Sequence, residues 1–242
     1  MKQPLKPTRD IAGFSLIELL IAMTTTLVIL GLAASVLSSA FRIRDREESV
    51  SDAAADAQRG LNIMSREIAN AGFNLSTNGI VEGDSDSSSI RIRSNLNKFD
   101  ISALPESRRG VVDAGEDLKY FVNISTAPAS AYLVRHDANE TNPLKEKTTV
   151  LANRIDQLRI HYFAQKVTYS TSVTSLADPT SGCDILNPSS AEVSPSLAGY
   201  IVIALCVRLP ASGAFGSAGY QPASNILLVS DVTLRNSNLS TY

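Results

Sequence analysis

Histidine, cysteine and proline are scarce in this 242-residue chain, and each shortage excludes something. His136 and His161 are the only histidines, and neither has a cysteine or a second histidine at a metal-ligand spacing, so nothing signals a zinc-type centre. Neither a Gly-x-Ser-x-Gly elbow nor a P-loop occurs, which leaves no sign of an activated serine or a nucleotide cradle. Residues 82–89, Glu-Gly-Asp-Ser-Asp-Ser-Ser-Ser, begin like a calcium loop but lack the glycine and terminal glutamate of an EF-hand; a solvated acidic turn is the expectation. No catalytic residue, metal or cofactor is expected. No proline lies between Pro7 and Pro105, so nothing in that stretch forbids a long helix. Charge is missing too: from Ile11 to Phe41 the only ionisable side chain is Glu18.

That apolar run exceeds the roughly 20 residues a helix needs to cross a bilayer core of about 30 Å. Lys2, Lys6 and Arg9 precede it, partly offset by Asp10, so the positive-inside rule keeps the N-terminus in the cytoplasm and exports the chain beyond Phe41. A cleaved secretory signal would have an apolar core of only about 7 to 15 residues. A plain signal anchor fits the length but gives Glu18 no purpose. A carboxylate at the centre of a spanning helix costs roughly 2.5 to 3.5 kcal/mol, and less near the helix N-terminus, where the dipole favours an anion.

The stretch Gly13-Phe14-Ser15-Leu16-Ile17-Glu18-Leu19-Leu20 resembles the class III signal of type IV prepilins and type II secretion pseudopilins: a short basic leader, Gly, Phe, Glu four residues later, then an apolar run. The resemblance implies that a prepilin peptidase cuts between Gly13 and Phe14 and N-methylates Phe14. It also gives Glu18 a purpose. In a water-excluding bundle of such helices an unpaired carboxylate is costly, and pairing with the Phe14 amine of a neighbouring subunit removes much of that cost. Glu18 is then a registration carboxylate, because a subunit displaced by one step would bury it alone.

Past Phe41 the pattern turns amphipathic. Val50, Ala54, Ala57, Leu61, Met64, Ile68 and Ala71 recur at steps of four and three, one face of a helix. A helix from Phe14 to Ala71 is expected, about 90 Å long, with Gly72 as its stop and Gly60 as a weakness of about 1 kcal/mol. Beyond it, strands are expected at 89–93, 118–124, 131–135, 156–164, 166–174, 200–209 and 225–236, with loops at 82–89, 175–198 and 210–224. Residues 158–162, Leu-Arg-Ile-His-Tyr, alternate as a strand with one wet face would, which makes His161 a surface residue. Ile201 to Leu205 read as a strand covered on both faces, the floor for the helix stripe.

The wider resemblance is to minor pilins of the PilW type. Residues 58–73, Gln-Arg-Gly-Leu-Asn-Ile-Met-Ser-Arg-Glu-Ile-Ala-Asn-Ala-Gly-Phe, are similar to the helix end of that group. Residues 151–162 resemble its mid-domain strand, and residues 232–236 its closing strand. Two departures stand out: Phe163-Ala164-Gln165-Lys166 replaces an Asp-rich turn, and Asn74-Leu75 replaces a Gly-Cys, so no calcium site or matching disulfide carries over. The cysteines present, Cys183 and Cys206, both lie in the exported part, where an even pair reads as a disulfide; the alternative is Cys206 as a buried free thiol.

The expectation is an α+β, pilin-like fold: a basic leader (1–13), a transmembrane or filament-core helix (14–41), its amphipathic continuation (42–72) and an exported β-rich head (73–242) carrying an antiparallel sheet. The implied role is a structural minor pilin in pilus initiation or at the tip, in the inner membrane before assembly and at the cell surface after it. Its implied partners are prepilin peptidase, other minor and major pilins, the inner-membrane assembly platform and membrane lipid. Losing residues 1–13 takes 22 basic and 24 acidic residues to 19 and 23, a net charge of −4, so no direct nucleic-acid contact is expected. Alternatives are a minor pseudopilin of a type II secretion system and a membrane-anchored periplasmic binding protein or enzyme.

Overall fold

With no proline to interrupt it, Leu16–Ala69 forms a single 54-residue α-helix, α1, about 80 Å long at 1.5 Å per residue. The computed structural model describes residues 14–96, 111, 113–126, 129–173, 183–217 and 220–236. The helix ends a turn's fraction before the expected Ala71: Asn70 caps it, its N–H donating to Glu67 O at 3.1 Å, while Ala71 N–H donates to Ile68 O at 2.9 Å. The next residues fold back tightly. Gly72 (φ +75°) donates to Arg93 O at 2.9 Å, and Arg93 donates to Gly79 O (φ +77°) at 2.7 Å. A Cβ on Gly79 would stand 2.0 Å from Gly72 N, so only glycine permits this crossing of backbones.

Among the described residues nine strands come after it: β1 (Ser89–Arg93), β2 (Asp117–Thr126), β3 (Ala129–Asp137), β4 (Thr148–Asn153), β5 (Ile155–Phe163), β6 (Ser170–Val173), β7 (Cys183–Leu186), β8 (Tyr200–Leu209) and β9 (Ser224–Thr233). The architecture is α+β, with one long N-terminal apolar helix and antiparallel sheets. The sheets number three among the described residues: β1-β2-β3-β4, β5-β8-β9 and the hairpin β6-β7, every pairing antiparallel. Several expectations need correction. Strand β4 falls where none was expected. The run 166–174 is a strand only from Ser170. The expected loop 175–198 contains β7 and a 3-10 turn at Pro195–Leu197.

The second half of α1 lies across β4, β8 and β9, joining the two larger sheets over one core. Its buried face is Ala53, Ala57, Gly60, Leu61, Met64 and Ile68. Ala53 takes the place expected for Ala54, which is only half-buried, because the wide face of a straight 3.6-residue helix drifts from a strict seven-residue repeat. Leu61, Met64 and Ile68 are fully buried, each contributing roughly 1.5 to 3 kcal/mol. Gly60 is the point of closest approach: a Cβ there would meet Leu133 Cδ2 at 3.1 Å and Leu151 Cβ at 3.3 Å. The helix-propensity cost of that glycine is the condition for packing against β3 and β4.

Strand β8 serves two cores. Ile201, Ile203, Leu205, Val207 and Leu209 face the helix. Tyr200 and Val202 face the other way, into a smaller core with Phe163, Val167 and Ile185 beneath the β6-β7 hairpin. This alternation explains why a strand with no polar face is buried almost throughout. The two larger sheets are joined by one residue, Arg154, held at φ +59° between Asn153 and Ile155.

Candidate functional site

The first half of α1 has no packing partner among the described residues. Every large apolar side chain from Leu16 to Phe41 is exposed, Leu16 at 83% and Leu27 at 69%, and the 18-residue window that qualifies as a membrane span is 0% buried. This one N-terminal helix is long and apolar enough to cross a membrane. Its three threonine hydroxyls are satisfied internally: Thr24 donates to Ile21 O at 3.0 Å, Thr25 to Ile21 O at 2.8 Å and Thr26 to Ala22 O at 2.7 Å. That pattern lets threonines sit in hydrocarbon without an unmade hydrogen bond.

At the tip, Ser15 is the N-cap residue, its carbonyl accepting from Glu18 N (3.0 Å) and Leu19 N (3.1 Å). Glu18 is therefore the third residue of the helix, in its first turn, where the dipole favours a carboxylate. Its side chain is exposed and has no hydrogen-bond or ion-pair partner among the described residues. Phe14, 79% exposed, precedes the cap, and Gly13 lies outside the described residues. The Ser15-x-x-Glu18 spacing is also that of a capping box, a second local signal of where the helix begins. The Ser15 hydroxyl makes no capping bond here.

The helix meets the head at a clamp. Arg46 donates to the carbonyls of Pro210 and Pro222, the latter at 2.8 Å, and to Ser224 Oγ at 3.2 Å. Arg154 reaches Ser49 O at 3.2 Å and also the Ser49 hydroxyl. Beside this clamp a groove of about 830 Å³ opens, lined by Ile124, Ala131, Arg154, Asp156, Arg208 and Pro210 among others.

On the opposite face of the β5-β8-β9 sheet, Cys183 of β7 and Cys206 of β8 are joined in a disulfide. Next to it His161 is not the surface residue its strand pattern suggests. Its side chain is only 14% exposed, with Nε2 at 2.6 Å from Asp184 Oδ1 and Nδ1 at 2.7 Å from Glu192 Oε1. Burial opposes the imidazolium, but the two carboxylates outweigh it and raise the pKa above its ordinary value. The β6-β7 hairpin brings Asp184 over the face that alternation marked as wet.

In the 82–89 turn, Asp86 Oδ1 accepts from Ser88 N and Ser89 N, each at 2.7 Å. Asp84 pairs with Arg91 at 2.6 Å, and Arg91 and Arg93 both bind the buried Asp117. These carboxylates are committed to the fold. No group of three or more His, Cys, Asp or Glu side chains able to hold a metal ion occurs among the described residues. No family model, curated protein or solved structure matches the chain.

Proposed function

We propose that this chain is a structural minor pilin of the PilW type, cut between Gly13 and Phe14 by a prepilin peptidase and built through its N-terminal helix into a type IV pilus. The observation that carries the reading is the unpartnered apolar half of α1 with a lone, unpaired Glu18 in its first turn. A soluble domain would bury such a surface; a subunit that passes from lipid to a helix bundle keeps it available in both settings. In the bundle, the N-methylated Phe14 amine of one subunit pairs with Glu18 of the next and fixes the axial register. The head, fastened to the same helix, is carried outward and offers its loops to other minor and major pilins. Before assembly the subunit resides in the inner membrane beside the assembly platform. Its role is mechanical and initiating, not catalytic.

The test is intact mass and N-terminal sequencing of the full chain coexpressed with a prepilin peptidase, beside Gly13→Ala and Glu18→Ala. The expected mature terminus is N-methyl-Phe14, with Gly13→Ala uncut and Glu18→Ala cut but unable to assemble. A wild-type chain that still begins at Met1 refutes the proposal and leaves an anchored periplasmic protein.

A further inference from the structure

We propose that residues 210–217 and 220–223, in the connection from β8 to β9, form a ribbon that docks on the membrane, placing Phe215 in the headgroup layer of the bilayer that the first half of α1 crosses. The inference rests on reading that half of α1 as membrane-spanning. Direction is the first support. Strand β9 climbs alongside α1 in the same sense: Ser224 contacts Arg46 at 3.2 Å, Ser230 Oγ accepts from Ser65 Oγ at 2.8 Å, and Arg235 N donates to Ala69 O at 3.3 Å. From Ser224 to Arg235 a strand rises about 36 Å, and from Arg46 to Ala69 a helix rises about 35 Å. The two run side by side, so the connection between β8 and β9 leaves the head at the end where the apolar half of α1 emerges.

Reach is the second support. Ser212 and Gln221 exchange both backbone hydrogen bonds, each 2.9 Å, which continues the two strands past their ends as a ribbon. Its tip turns at Ala214, whose carbonyl accepts from Ser217 N at 3.0 Å. Arg46 holds the ribbon's root at Pro210 and Pro222. From Pro210, where Arg46 holds it, the ribbon runs two residues to the Ser212 pair, about 7 Å at strand rise, and the turn that carries Phe215 lies beyond that pair. Phe41, the end of the apolar run, lies five residues before Arg46, about 7 to 8 Å at helix rise. The ribbon therefore reaches the level of Phe41, where hydrocarbon gives way to headgroups.

Composition is the third. Between Pro210 and Ala223 there is no Asp, Glu, Lys, Arg or His. Phe215 is 91% exposed and meets the edge of Tyr220, with ring centroids 5.4 Å apart at 74°. An uncharged ribbon ending in an aromatic pair has the chemistry of a membrane-interface anchor. Ile124, 71% exposed, stands on the same end of the head across the groove from Pro210 and Ala211. Charge contributes little attraction, because Arg42, Arg44 and Arg46 are balanced by Asp45, Glu47 and Glu48.

The chain contains no tryptophan, so a single one is an unambiguous reporter. Three variants of the full chain, Phe215→Trp, Leu30→Trp and Leu197→Trp, are reconstituted in phosphatidylethanolamine–phosphatidylglycerol vesicles. Nitroxides are carried either on the lipid headgroup or deep in the acyl chain. The expected result is quenching of Phe215→Trp by the headgroup nitroxide at least threefold stronger than of Leu197→Trp, on the far end of the head, and quenching of Leu30→Trp by the deep one. If Leu30→Trp is quenched but Phe215→Trp behaves like Leu197→Trp, docking is overturned and the spanning helix stands. If Leu30→Trp escapes the deep nitroxide, the spanning reading itself falls and takes the ribbon with it. A blue-shifted Phe215→Trp emission that vanishes on dilution, without lipid quenching, assigns the ribbon to a second copy of the chain and overturns docking.

Discussion

Removing the Cys183–Cys206 bond isolates how the β6-β7 hairpin is attached to the head. The cysteines are 23 residues apart, and closing a loop of that length restricts the unfolded chain by about 3 kcal/mol at 25 °C. For a domain of the size of this head, each kcal/mol moves Tm by roughly 2 to 4 °C, so loss of the bond is expected to lower Tm by about 10 °C. The double variant Cys183→Ala/Cys206→Ala is the right perturbation, since Cys206 is fully buried and a serine there would add an unpaired hydroxyl. Calorimetry of the full chain in detergent micelles, variant against oxidised wild type, reads the global effect. Amide exchange locates it. Without the bond the hairpin keeps Ile185 against Phe163, Val167, Tyr200 and Val202, and keeps the Asp184–His161 contact, so β7 should exchange faster while β8, buried between two cores, stays protected. A variant whose Tm lies within about 3 °C of wild type, with β7 protection unchanged, would refute the argument and make the hairpin's own packing sufficient.

The His161 contacts predict a pH dependence of definite sign. The folded pKa is raised, so the ion pairs contribute fully below the unfolded value of about 6.5 and the contribution is lost as pH climbs through the elevated folded value. Thermal melts should therefore show a larger Tm gap between wild type and His161→Gln at pH 6 than at pH 9; equal gaps would exclude the imidazolium as the source. Gly79→Ala should be far more damaging, on the order of 4 kcal/mol, because a left-handed φ and a backbone clash act together. Gly83→Ala, whose Cβ would meet nothing within 4 Å, is its neutral control in the same denaturant titration.

Some of this was legible in the sequence because the signal was local. The run Tyr200–Leu209, apolar except for Arg208, is a strand over its full expected length, as is Ser89–Arg93, and the four-three stripe announced the buried face of α1 to within one residue. Strand β4 was missed because Thr148, Thr149 and Val150 are exposed on an edge and carry no inward alternation. Four-residue β7 was hidden in a Ser- and Pro-rich stretch, and it exists by pairing with β6 and bonding to Cys206. His161 shows the same limit for a side chain: its own strand marks it as solvated, and the residues that enclose it, Asp184 and Glu192, come more than twenty positions later. At the helix tip, the place of Glu18 in the first turn of α1 was legible because it depends on spacing along one turn.

Helix α1 is also a lever with a fulcrum. From Arg46 to Ala69 the rod is bolted to two sheets, so that portion cannot flex without disturbing the core. From Arg46 back to Leu16 it is a free arm of about 45 Å, and a ten-degree swing at the clamp displaces its tip by about 8 Å. Gly31 sits midway along that arm with open space around it, whereas Gly60 is wedged against Leu133 and Leu151. Bending under load is thereby confined to the stem, and a pull applied to the head reaches the Phe14 end through a handle that does not yield.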